Sequence, residues 1–99
     1  MTFGDFEEFW PFYVRQHSRR WTRRLHFAGT TVGVVVFLAG HPLEALALAY
    51  GLAWVGHFFV EKNAPATFRH PLWSFRADFR MYGLMLRGRM DAEAERFSR

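Results

Sequence analysis

Four residues of this 99-residue chain have the types and spacing of a metal site. His57 and Glu61 are four positions apart, so on one helix their side chains share a face and can reach one cation. His26 opens one apolar stretch and His57 closes a second, with only Gly40, His41 and Pro42 between the two. Paired antiparallel, the stretches bring both imidazoles to one end. His17 stands nine positions before His26, which on a straight helix would point the rings apart. A turn at Ser18 to Arg20 lets them converge. The expected metal ligands are therefore His17, His26, His57 and Glu61, with His70 as a further candidate from a later loop and His41 as a turn residue on the opposite side. With no cysteine in the chain, imidazole and carboxylate ligands suit Fe(II), Zn(II) or Mn(II), and two histidines with one carboxylate form the facial arrangement of non-haem iron oxygenases. No nucleophile motif or glycine-rich phosphate loop offers rival chemistry, and Ser18, Ser74 and Ser98 have no base at a motif spacing.

The elements that position these residues read as helices. Phe6, Phe9, Trp10, Tyr13 and His17 recur at helical intervals and predict an aromatic, amphipathic helix over residues 5–17, suited to a membrane interface. Asp5 and Glu8 resemble a capping pair, while Pro11 predicts a kink or a later start. Residues 25–39 and 43–60 span roughly 23 and 27 Å at about 1.5 Å per residue, short for a hydrocarbon layer of about 30 Å. The small residues Gly29, Thr30, Thr31 and Gly33 would let two such helices approach closely. After two helix-breaking prolines, Pro65 and Pro71, the residues Leu72, Phe75, Phe79, Tyr82 and Leu86 mark one face of an amphipathic helix over 72–88. Arg76, Arg80 and Arg87 are placed beside it for lipid phosphates. Residues 91–99 read as a fraying polar tail.

Composition fits this segregation, with 51% hydrophobic and 19% aromatic residues but a mean hydropathy of only -0.11. The net charge is +4 and the pI about 10.3, which raises nucleic acid as a partner. The basic residues instead flank the apolar stretches, at Arg19, Arg20, Arg23 and Arg24 and again from Lys62, with none in the intervening turn. That is the positive-inside pattern; it predicts no nucleic-acid partner, both termini in the cytoplasm and the turn outside. Asp5, Glu7 and Glu8 argue against a signal peptide.

The segments FWPFYVRQHSRRWTRRLHFAG from Phe9 and GHFFVEKNAPATF from Gly56 resemble the two signatures of a membrane family formerly known as a domain of unknown function. Its characterised fungal member is a 2-hydroxy fatty acid dioxygenase. The first motif has two histidines at the spacing of His17 and His26; the second matches His57, Glu61, Pro65 and Ala66. The segment PLWSFRADFRM from Pro71 is shared with a short bacterial branch. Thr22 departs from the Asn usual in the family, and longer members have more hydrophobic segments. The resemblance implies an Fe(II)-dependent enzyme that shortens 2-hydroxy fatty acids by one carbon with dioxygen. For such a substrate the residues beside His26 offer Arg23 or Arg24 as the expected partner of the carboxylate.

The expectation is thus a single all-α membrane domain, a helical hairpin flanked by interfacial helices, in the bacterial inner membrane and able to form a homo-oligomer. Its partner is membrane lipid or a fatty acyl substrate. The rivals are a non-catalytic membrane protein whose histidines serve packing or lipid head groups, and a soluble helical oligomer without metal.

Overall fold

Asp5 starts the first helix by accepting the backbone N–H of Glu8 at 2.9 Å, while the Glu8 carboxylate accepts that of Gly4 at 3.2 Å. Helix α1 (Phe6–Arg15) runs through Pro11, in the computed structural model that describes residues 3–97. It is followed by α2 (Arg20–Leu38) and α3 (Pro42–Val55), whose last turn continues as a π-helix over Gly56–Glu61. A 3₁₀ turn (Ala66–Phe68) leads to α4 (Pro71–Leu86) and α5 (Met90–Phe97). Among the described residues the fold is all-helical, with no strand.

Close approach of α2 and α3 depends on glycine. A Cβ on Gly29 would lie 2.8 Å from the Ala49 carbonyl oxygen, and one on Gly33 would lie 3.1 Å from the Ala49 Cβ. Gly29 faces Ala49 and Leu52 while Gly33 faces Ala45 and Ala49, so the two helices run antiparallel. Gly40, at φ +94°, makes the turn between them, and Pro42 occupies the first turn of α3 where its missing N–H is harmless. The rod Pro42–Glu61 is, among the described residues, the one helix long and apolar enough to cross a membrane, with a mean hydropathy of 1.5. Much of its apolar surface faces outward, including Leu43, Leu46, Leu48, Val55 and Phe59.

The second packing unit corrects two expectations. The aromatic face of α1 is not left for an interface: Phe9, Trp10 and Tyr13 are buried against Ala77 and Met81 of α4 and Met90 and Ala94 of α5. The small side of α4 (Ser74, Ala77, Met81) turns inward, because it lets the bulky rings of α1 approach, and Leu72, Phe75, Phe79 and Leu86 stay exposed. Its arginines lean on α1, Arg76 over the Phe6 ring at 4.1 Å and Arg80 over Trp10 at 4.4 Å with Glu7 at 3.1 Å. The expected polar tail is instead α5, held by Met90 and Ala94; its last two residues, 98 and 99, lie outside the described residues.

Candidate metal centre

The corner between α1 and α2 sets the site. Four residues, Gln16 to Arg19, separate the helices, and two opposite charges brace this link. The buried Arg23 guanidinium donates to the carbonyls of His17 and Ser18, both at 2.8 Å, and to Asp91 at 2.9 Å. The Glu61 carboxylate accepts the Ser18 hydroxyl at 2.9 Å and the backbone N–H of Arg19. The Arg23 cation on the carbonyls of the link and the Glu61 anion at the N-terminus of α2 fix the bend, and His17 lies inside it.

His17, His26 and His57 are all buried, and one ring nitrogen from each lies within 4.8 Å of the others. The rings meet edge to face, with centroids 4.3 Å apart for His17 and His26, 4.6 Å for His17 and His57, and 5.0 Å for His26 and His57. Each Nδ1 is engaged by an oxygen: His17 with the Tyr13 carbonyl at 2.7 Å, His26 with the Thr22 carbonyl at 2.9 Å, and His57 with Asn63 Oδ1 at 2.7 Å. Asn63 is oriented by donating its amide to the Gln16 carbonyl, which makes Oδ1 its acceptor end. A carbonyl oxygen only accepts, so the Nδ1 of each neutral ring carries the proton and each Nε2 presents a lone pair. Burial, reinforced by the neighbouring His26 and His57, pushes the His17 pKa well below the usual imidazole range and keeps that ring neutral.

Two of these lone pairs are pressed together, since His17 Nε2 lies 3.0 Å from His26 Nε2. Neutral rings so polarised cannot hydrogen-bond to each other; a cation between them resolves the conflict. The donor set fits a divalent metal. Metal–nitrogen bonds of about 2.1 Å ending 3.0 Å apart subtend roughly 90°, the angle between neighbouring ligands of an octahedral ion. Backbone and Asn acceptors behind ligating imidazoles are also the usual supporting shell of such centres.

Sequence spacing anticipates these three histidines, but Glu61 stands apart, its carboxylate occupied by Ser18 and Arg19. His70 stacks on Trp73 at 5.6 Å in the aromatic core, and His41 meets Glu44 at 2.9 Å at the far turn. Arg23 is the corner brace, and Arg24 lies exposed over Trp21 at 5.1 Å, about 200° around α2 from His26. Neither guanidinium hydrogen-bonds to an imidazole ring; Arg23 reaches the backbone carbonyl of His17. Asn63 was not anticipated. Its signal is local: Lys62 takes a left-handed conformation, φ 65°, which turns Asn63 back so that its N–H reaches the His57 carbonyl at 2.9 Å. The π-helical turn carrying His57 is the other unforeseen feature, of a kind frequent at functional sites.

From His26 a cavity of about 370 Å³ extends between α2, α3 and α4. Gly33, Val34, Phe37, Ala45, Leu46 and Phe79 make it largely apolar, and Thr30, Tyr50 and Asp78 are its other polar members. From His26 to Phe37 it follows α2 for roughly 16 Å at about 1.5 Å per residue. Asp78 accepts the Tyr13 hydroxyl at 2.5 Å, and burial pushes its carboxyl up to about 7 although that hydrogen bond opposes the shift.

One family model, described as 2-hydroxy-palmitic acid dioxygenase Mpo1-like, matches residues 3–90. No curated protein and no solved structure matches the chain.

Proposed function

Because the chain belongs to this Mpo1-like family, we propose that it is a membrane-bound, Fe(II)-dependent dioxygenase that shortens 2-hydroxy fatty acids by one carbon. The observation that carries the reading is the convergence of three buried imidazoles whose Nδ1 atoms all face acceptors, which leaves each Nε2 free as a ligand, with one ring nitrogen of each within 4.8 Å of the others. His17, His26 and His57 would hold the metal. Fe(II) bound there supplies the activation of dioxygen that a protein side chain cannot.

The chain's own groups do the rest. Tyr13 O, Thr22 O and Asn63 Oδ1 hold the protons on Nδ1 and thereby fix the ligating tautomer. Glu61 and Arg23 keep the corner bent and His17 in register. The apolar cavity that begins at His26 takes the acyl chain and excludes water, so the polar end of the substrate lies at the imidazoles. In the overall reaction the C1–C2 bond breaks and C1 leaves as carbon dioxide. C2 passes from the alcohol to the carboxyl level, dioxygen takes up four electrons, and water is the remaining product.

In this reading α2 and α3 enter the bacterial inner membrane as a hairpin, with the Gly40 turn outside and both termini cytoplasmic. The outward apolar residues of both helices support it, Val32, Val35 and Leu38 on α2 and Leu43 and Leu48 on α3. The exposed Arg19, Arg20 and Arg24 stand at the cytoplasmic end, where lipid phosphates would meet them. The test is turnover: anaerobically purified, Fe(II)-loaded protein in detergent is given dioxygen and 2-hydroxy acids of several lengths. Fatty acids one carbon shorter are expected. Unchanged substrate at every length, with iron bound, would refute the activity.

A further inference from the structure

Asp78 is out of place in a cavity made for hydrocarbon. It projects from α4 into the wall that Phe75 and Phe79 otherwise make apolar, and among the described residues no Lys or Arg pairs with it. The nearby arginines of α4 are engaged on α1, by Phe6 and by Glu7 and Trp10. A carboxyl group in such surroundings is costly unless its oxygens find partners. One partner is the Tyr13 hydroxyl at 2.5 Å, the one hydrogen bond that the Asp78 side chain makes among the described residues.

Tyr13 also ties Asp78 to the histidines. Its ring stacks on His17 with centroids 4.1 Å apart, and its carbonyl holds His17 Nδ1. Asp78 therefore stands at the inner end of the cavity, one tyrosine ring from the imidazoles, where the polar end of an acyl ligand would come to rest. A substrate carboxylate is a poor match for a second carboxyl group, because only the protonated form of Asp78 avoids repulsion. A hydroxyl group matches it in either form, donating to the carboxylate or accepting from the acid.

Resting on the acyl-chain reading of this cavity, we infer that Asp78, held by Tyr13, binds the 2-hydroxyl of the substrate and is the residue that selects hydroxylated over plain fatty acids. A site built to hydrogen-bond a hydroxyl discriminates strongly against the analogue that lacks it, whereas an apolar wall scarcely separates the two.

Displacement of a fluorescent fatty acid from the full-length protein in detergent, by 2-hydroxypalmitate and by palmitate, measures this selection without relying on turnover. Wild type should prefer the hydroxy acid by about tenfold or more, the range of a hydrogen bond to a charged or strongly polar group. Asp78→Leu should bring the ratio to about one while palmitate binding holds or tightens. Asp78→Asn, which keeps a polar partner of the same shape, should retain part of the preference, and Tyr13→Phe should reduce it. These two variants keep the inference testable if Asp78→Leu does not fold. An unchanged ratio in Asp78→Leu, or equal weakening of both acids, would overturn the inference and leave the cavity's acyl role standing. Failure of wild type to bind either acid would overturn both. Selective binding without turnover would refute only the dioxygenase activity.

Discussion

His17 Nε2 lies 3.0 Å from His26 Nε2, and neither nitrogen has a proton to offer the other, because both rings are committed through Nδ1 to backbone carbonyls. Two acceptors held this close in a buried place repel unless a cation joins them. The Tyr13 and Thr22 carbonyls hold the two rings in this contact. His57 approaches from the π-helical turn and completes the set.

Asn63 fixes the tautomer of His57 and touches neither of the other rings by hydrogen bond. Asn63→Ala should weaken metal binding by about 10- to 100-fold, as loss of such supporting partners does. Asn63→Asp, which keeps the acceptor, should retain most of it. Competition against a chelator of known affinity reads this directly, and equal metal affinity in wild type and Asn63→Ala would exclude the role.

Glu61 should behave as a corner residue and not as a ligand. Glu61→Gln keeps an acceptor for Ser18 and Arg19 and should still bind metal, with helix content unchanged. His57→Ala should abolish binding. Circular dichroism with metal analysis separates the two, and complete loss of metal in Glu61→Gln would place the carboxylate among the ligands.

Much of this arrangement is legible in the sequence, and the parts that are not have specific causes. The short turn at Gly40 to Pro42 forces antiparallel helices, so the meeting of His26 with His57 follows from where each stretch begins and ends. The bend that adds His17 follows from the nine-residue interval. Glu61 could not be placed by spacing alone, since its position depends on unsatisfied groups at a corner between two other helices. Trp10 and Tyr13 suit a membrane interface and a protein core equally by type. What decides is the small face of α4, Ser74, Ala77 and Met81, which has no signature beyond ordinary periodicity. The charged sequence of α5 conceals a two-residue anchor, Met90 and Ala94.

Gly29 tests the helix contact that carries His26. A methyl group there would meet the Ala49 carbonyl oxygen at 2.8 Å, an atom that can move only with its helix. Gly29→Ala should destabilise the protein by about 1–3 kcal/mol, the usual range for overpacking, and weaken metal binding by spreading α2 from α3. At Gly51 nothing lies within 4 Å, so Gly51→Ala should leave metal binding unchanged and hold or raise stability, by up to about 1 kcal/mol. Thermal unfolding in detergent decides, and equal stability of the two variants would contradict the packing.

Stability should respond to pH with opposite signs at Asp78 and His17. The native Asp78 carboxyl, pushed up to about 7, keeps its proton while the unfolded one loses it near 3.8, so this group's contribution falls as pH rises between those values. His17 is held neutral when the unfolded ring protonates near 6.5, so its contribution falls as pH drops below that value. Relative to wild type, Asp78→Asn should gain stability as pH rises from about 4 to 7, on the order of 4 kcal/mol at most. His17→Gln should gain as pH falls below 6.5. Parallel stability curves for wild type and both variants would contradict these assignments.

The most direct measurement is the metal itself. Full-length protein purified anaerobically in detergent and loaded with Fe(II) should hold one iron per chain, with X-ray absorption showing nitrogen ligands of imidazole type. His17→Ala, His26→Ala and His57→Ala should each lose it while keeping their helices. Folded wild-type protein that takes up no divalent metal, or holds it undiminished in all three variants, would contradict a metal centre at His17, His26 and His57.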